Sequence, residues 1–364
     1  MTRRSLLIGG ASAAAIAGFG ALAWRRATGS ASDYDAYARA IRAAPPPNAD
    51  LSALIRFATL AANGHNTQPW RFTLGEGVIR IDADESRRTP VVDPDDHHLH
   101  VSLGCAAENL AIAARATGRP GEVTIESAGT VVFNHRSGLP ATEPLFDAIP
   151  LRQSTRSLYD GRGIPPGDLA ALEAVAAEPG VRMVLISDRP RIAKVRDLVV
   201  AGNDVQMANS AFMAELQRWI RFNPRSAMGS GDGLYAAASG NPSLPTAIGD
   251  LIFPWVVTAG GEREKYARQI DSSGALAVFV ADRSDPAHWV AVGRSCQRFA
   301  LAATARGLKH AFVNQPVEVE SFRPELASVI GEPGKRPDLI MRLGYAPALP
   351  YSPRRPVEDV LTAA

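Results

Sequence analysis

The chain has 364 residues, 46% hydrophobic and 21% charged, an ordinary globular composition with room for two core-forming units. Its formal charge is +2, but Arg3, Arg4, Arg25 and Arg26 lie in an N-terminal segment without an acid, and without them the balance is −2. No basic surface and no interleaved aromatic and basic run is left to suggest a nucleic-acid partner.

The N-terminus reads as an address. Paired arginines precede nineteen uncharged residues, Leu6–Trp24, eleven of which are Ala or Gly. The run is long enough to span a membrane but weakly hydrophobic for an anchor. It resembles a twin-arginine export signal, which implies the export machinery as a partner and a place in the periplasm or on the outer face of the cytoplasmic membrane. Small residues at Ala21–Ala23 and Gly29–Ala31 offer cleavage points, and retention as an anchor is the alternative. Residues 1–30 are therefore set apart from the fold, which divides into a first half, 31–150, and a second, 151–364.

After a helix-like run, Leu51–Ala62, comes Asn63–Trp70, read N-G-H-N-T-Q-P-W, and then a strand-like Arg71–Asp82. Asn66 and Gln68 put amide donors and acceptors on one short loop, Pro69 fixes the backbone, and Trp70 supplies a flat surface. The loop suits a planar heteroaromatic ligand edged with carbonyls and ring nitrogens; the plainer reading is a helix stop followed by a core tryptophan. His65 is the only titratable residue in it, with a structural hydrogen bond as its expected role. Next, D-P-D-D-H-H-L-H, Asp93–His100, concentrates His97, His98 and His100 with aspartates. It reads as a polar loop, or alternatively as ligands of a metal-dependent enzyme.

Val101–Gly118 aligns without a gap on Val290–Gly307, seven of eighteen positions being identical. Each is a small-residue helix ending in glycine. Asp50–Leu54 likewise echoes Asp168–Leu172. The offsets are 189 and 118 residues, so a duplication carries an insertion in its second half, between strand-like Val181–Ser187 and Ala275–Ala281. That insertion, about 200–270, begins with Val205, Ala208, Phe212, Leu216 and Trp219 near helical spacing. Loop chemistry follows at Met228–Gly233 and Gly240–Pro242, the usual material of a lid, or equally of a peripheral packing hairpin. Cys105 and Cys296, far apart in sequence, read as buried thiols and not as a redox pair or a zinc site.

The second half opens L-R-Q-S-T-R-S-L-Y. Arg152, Ser154 and Arg156 alternate and in extended backbone share a face that suits a phosphate monoester. The C-terminal P-Y-S-P-R-R-P-V-E-D places Arg354 and Arg355 between prolines in an extended tail.

Together the N-x-Q-P-W loop, the R-x-S-x-R opening, the G-x₃-Q-x₃-L-A-A helix followed by G-L, and the ending R-L-G-Y-A-x₅-S-P-R-R-P-x-E-D-V resemble the nitroreductase family of flavin mononucleotide (FMN) enzymes. Ordinary members are homodimers with two flavins at the interface. Here the loop occurs only in the first half and the arginines only in the second, an asymmetry similar to the Acg-type branch, where one chain contains both halves and a lid covers the flavin. The resemblance implies an α+β fold, three-layered with a mixed sheet flanked by helices, duplicated in one monomeric chain with one FMN between the halves. It assigns the phosphate to Arg152, Ser154 and Arg156, helped by Arg354 or Arg355. Asn63, Gly64, Asn66 and Gln68 would line the ring or ribityl chain, and Asn314, in Val313–Gln315, would lie by the ring. The chemistry implied is electron transfer to a small electron-poor aromatic or quinone-like substrate without a side-chain acid or base. A flavin-sequestering protein without NAD(P)H turnover is the competing reading.

Overall fold

The computed structural model describes residues 22–45 and 50–362. Arg3, Arg4 and all but the end of the apolar N-terminal run lie outside the described residues. No helix among those described is long and apolar enough to cross a membrane.

Helix α1 (Ala31–Ile41) starts at Ser30, and α2 (Leu51–Thr59) at Asp50, each cap accepting a first-turn N–H. Strands β1 (Trp70–Gly75) and β2 (Val78–Ala83) form a hairpin, helix α3 (His97–Ala116) follows, and β3 (Gly121–Ile125) and β4 (Val131–His135) complete a sheet ordered β1-β2-β4-β3. The second half repeats the plan. After α4 (Pro166–Val175) come β5 (Val181–Ile186), and then α5 (Arg189–Ala208), α6 (Ser210–Trp219), α7 (Pro224–Ser230), α8 (Thr246–Val256) and α9 (Ala259–Asp271). Strand β6 (Ala275–Ala281), α10 (Pro286–Ala305), β7 (Lys309–Phe312), α11 (Gln315–Glu318), α12 (Arg323–Val329) and β8 (Pro337–Gly344) follow, giving a sheet ordered β5-β6-β8-β7. The strand order is the same, all these neighbours are antiparallel, and a long small-residue helix joins the second strand to the third in both. A two-residue turn links β1 to β2, whereas residues 187–274 separate β5 from β6. Strand β9 (Leu361–Thr362) crosses back and pairs parallel with β1, making that sheet mixed.

Helices α3 and α10 pack on each other between the two sheets. A Cβ on Gly104 would stand 1.9 Å from the Val290 carbonyl oxygen, and one on Gly293 2.0 Å from that of Val101. The two approaches exchange under the 189-residue offset seen in the sequence. Small residues are required here because backbone meets backbone. The inner faces of both sheets and these helices share one core that includes Phe57, Trp70, Phe133, Phe279 and Phe299. A second core lies outside the second sheet, where Ile192, Val195 and Val199 of α5, Ile270 of α9 and Leu326 of α12 cover Leu276, Val278 and Ile340. The outer face of the first sheet stays open, with Arg71, Glu122, Thr124 and Asn134 exposed. Helices thus flank the second sheet on both faces and the first on one.

The insertion differs from its sequence reading. Its helical face does not run unbroken through 205–219: Asn209 ends α5 and its Oδ1 accepts the N–H groups of Ala211 and Phe212 to start α6. Met228–Ser230 are helical and not loop, because Asn223 and Ser226 form a capping box and Gly231, at φ 65°, closes the helix.

Candidate functional site

The loop after α2 is bent hard. His65, Asn66 and Gln68 take φ values of 46°, 54° and 55°, a region non-glycine residues rarely occupy. Side chains hold it there. Asn63 Oδ1 accepts from Gln68 N at 2.9 Å; Asn66 Nδ2 donates to Gly233 O at 3.0 Å and Pro353 O at 3.1 Å; Gln68 Nε2 donates to Gly231 O at 2.8 Å. Gln68 Oε1 accepts from Arg355 N at 3.0 Å. The first half, the insertion and the tail therefore meet on this loop. Underneath, Ala62 N donates to Gln297 Oε1, and Gln297 Nε2 to Asn109 Oδ1, a buried relay between α10 and α3 in which Gln297 belongs to the G-x₃-Q-x₃-L-A-A motif and Asn109 was unmarked in the sequence.

The arginine opening is extended and bridges to β7 at Ser154 and His310. Gln153 and Thr155 hydrogen-bond each other, and Gln153 also holds Leu349 N and O. The alternate side chains Arg152, Ser154 and Arg156 line a small cavity together with Asn66, Arg354 and Arg42. Arg152 is 5% exposed. Its Nη2 donates to Leu60 O at 3.0 Å, while Nε and Nη1 have no partner. Burial lowers the pKa of all four arginines, Arg42 to about 10, and no carboxylate is among the groups that offset it. Arg42, which no motif pointed to, donates to Ser352 O and lies 4.1 Å above the Tyr351 ring. The assembly is a cluster of arginines around one cavity with no carboxylate set against it among the described residues.

Arg156 and Asn63 also line a larger chamber of about 210 Å³, shared with Gly64, His65 and Asn314. Asn314 Oδ1 accepts from Ile340 N at 2.9 Å. Asn203 and Gln315, both buried, line this chamber with Asn203 Nδ2 and Gln315 Oε1 unpartnered. His65 makes no hydrogen bond among the described residues; burial, with the neighbouring Arg156 and His98, drops its pKa to about 4. His98 shares the wall, its Nε2 3.5 Å from Glu318 Oε1, and Gln206 Nε2 donates to Glu318 Oε2 at 2.6 Å. Burial disfavours both charges, yet the pair prevails: His98 is held up and Glu318 down.

Several expectations change on this geometry. Gln68 and Arg355 line neither cavity, since the amide is spent on backbone and Arg355 turns toward Asp359 O and Asp84. Arg354 lies at the small cavity but is fully engaged, donating to Asn66 Oδ1 and to the carbonyls of Thr59, Leu60 and Ala61 at the end of α2. Asn66 is a strut and not a free amide. Trp70 is core, 0% exposed. The histidine cluster does not form a ligand set, because each imidazole is engaged elsewhere: the His97 and His98 rings lie 4.7 Å apart, but His97 pairs with Asp338 at 2.9 Å, His98 with Glu318, and His100 lies by Trp289. Among the described residues no group of three potential ligands could hold a metal. Cys105 and Cys296 are buried and free but adjacent, and burial beside Cys105 pushes the Cys296 thiol well up.

No family model matches the chain. Two Mycobacterium tuberculosis proteins are similar over most of their length. One, named "Putative NAD(P)H nitroreductase Rv3131", is 24% identical over 331 residues, 86% of this chain and 92% of the relative. The other, "Putative NAD(P)H nitroreductase acg", is 25% identical over 341 residues, 85% of this chain and 94% of the relative. Among solved structures, the FMN-bound nitroreductase from Desulfitobacterium hafniense overlaps 62% of this chain and 100% of its own at 16% identity, with a TM-score of 0.38. The FMN-dependent nitroreductase NfnB from Mycobacterium smegmatis overlaps 56% and 87% at 15% identity, also with a TM-score of 0.38.

Proposed function

We propose that this chain is an FMN-binding oxidoreductase of nitroreductase type, a monomeric pseudo-dimer holding one flavin where its halves meet. Arg152 carries the reading: a cation 5% exposed with two unpartnered nitrogens is costly to the fold until an anion completes it. A phosphate monoester fits, offering several oxygens to Arg152, Ser154 and Arg156, with Arg42 adding charge. Asn63, Gly64 and Asn314, which line the adjoining chamber, would hold the ring. The names of the two mycobacterial relatives support the same reading.

The flavin, when bound, supplies two-electron redox chemistry. The residues around it bind and orient. Arg156 borders both cavities and fixes the cofactor at their junction. Neutral His65 adds no charge beside the ring, and Phe212 and Leu216 of the insertion, which acts as a lid, exclude water. The substrate class is a small electron-poor aromatic or quinone-like compound. The N-terminal segment sends the folded, loaded protein out by the twin-arginine route, to the periplasm or the outer membrane face.

The insertion walls the chamber, which also favours a second reading, a flavin-sequestering protein without NAD(P)H turnover. One experiment separates the two: the visible spectrum of protein purified without added flavin, then with dithionite and with NADPH under argon. Bleaching by both reductants makes it a reductase, and by dithionite alone a sequestering protein or one with another donor. A colourless protein that refuses added FMN refutes the proposal.

A further inference from the structure

One helix of the insertion turns its apolar side to solvent. Gly249 and Phe253, four residues apart, attach α8 to the body: Phe253 is buried, and a Cβ on Gly249 would be 2.4 Å from the Phe222 ring. Away from this line Ile248 is 42% exposed, Leu251 66% and Trp255 73%. The single charge in the helix, Asp250, accepts from Gln217 Nε2. A helix facing water normally carries charge on that side.

The N-terminal segment attaches beside it. Leu22 and Trp24 are exposed large hydrophobics as well, at 47% and 46%. Their segment ends at Gly29, where a Cβ would lie 2.9 Å from Arg225 N. Three residues earlier is Phe222, which seats Gly249, and between them Asn223 Nδ2 donates to Leu244 O and Thr246 Oγ1. Residues 222–225 thus join both apolar elements, and the uncharged sequence from Leu6 runs into one of them. Arg25, Arg26 and Arg225 are exposed in the same region.

We infer that α8 lies in the interfacial layer of a lipid bilayer. Ile248 and Leu251 enter the acyl boundary, Trp255 and Trp24 lie at headgroup depth, and the three arginines meet anionic headgroups. Val257, where α8 ends, lines the larger chamber, and α6, tied to α8 through Gln217 and Asp250, gives it Phe212 and Leu216. The chamber wall therefore borders the membrane, and a lipid-soluble quinone is the substrate class that fits; this last step alone rests on the flavin reading.

Docking is tested on the full chain with Trp255→Cys carrying an environment-sensitive fluorophore, the native cysteines being buried. The probe is vesicles of phosphatidylethanolamine and phosphatidylglycerol with doxyl-labelled lipid. Emission at 255 is expected to shift to the blue and be quenched, while the same label at Thr124→Cys, on the open sheet face, does neither. Equal behaviour at both positions overturns the inference. So does a dimer in sedimentation that Leu251→Ser with Trp255→Ser dissolves, since a second copy then owns the face. For the substrate class, that double variant is expected to slow reoxidation of dithionite-reduced protein by a vesicle-borne long-chain quinone and not by soluble menadione. If it slows both or neither, the quinone assignment falls while the docking result stands.

Discussion

Arg152 and Arg354 line one cavity and are built for different work. Arg354 is saturated with carbonyl partners, so Arg354→Ala should cost about 3 kcal/mol or more and lower Tm sharply in calorimetry. Arg152→Met should leave the flavin-free Tm unchanged or raised, because an unpaired buried charge is gone, yet weaken FMN about 10–100-fold in titration. A large Tm loss in Arg152→Met would refute the distinction. The alternation of Arg152, Ser154 and Arg156 was legible because period two is a backbone property. Gln68 misled, since an amide that suits a ligand edge suits a bent backbone equally well, and Arg42 had no pattern to betray it. The chamber pair gives a pH dependence. His98, held up, stabilises the fold fully below its unfolded value of about 6.5 and loses this as pH rises through its raised one. Glu318, held down, stabilises above about 4.3 and loses this as pH falls through its lowered one. The Tm deficit of His98→Gln should therefore be larger near about pH 5.5 than about pH 8.5. An equal deficit at both would contradict the assignment.

At the scale of elements, the crossing of α3 and α10 sets how closely the halves approach. Gly104→Ala drives a methyl into the Val290 carbonyl, so the helices must separate, at about 2–4 kcal/mol in denaturant titration. Gly293→Ala should cost the same, and the double variant less than the sum, since one separation of the helices accommodates both methyls. Additive costs would mean two independent sites. The sequence showed two small-residue helices suited to close packing; that they pack on each other through Gly104 and Gly293 came from the structure. The break between α5 and α6 was not, because Asn209 interrupts an apolar spacing without disturbing it. Nor was the role of Gly231 and Gly233: glycine-rich sequence looks like slack chain, and here it is where a loop and a tail come close enough to share hydrogen bonds.

For the whole molecule, the two halves contribute unlike parts, so the proposed stoichiometry is one FMN per chain in a protein that sediments as a monomer; two per chain, or loading only in a dimer, would refute it. The likeness of the two halves was legible in the aligned helices, while the strand order, the open face of the first sheet and the apolar face of α8 are properties of what lies beside an element, which no local pattern encodes. The tail is the last part of the described chain to be synthesised. Residues 351–362 bring Arg354 to the end of α2, fasten Asn66 and Gln68, and add β9 to the first sheet. Both sheets and both central helices precede them, so a nascent chain can collapse around its core long before the cofactor pocket has a floor. On the proposed reading, a variant lacking residues 351–362 is expected to fold its core and yet fail to bind FMN in titration; full binding by that truncation would contradict the tail's part in the site.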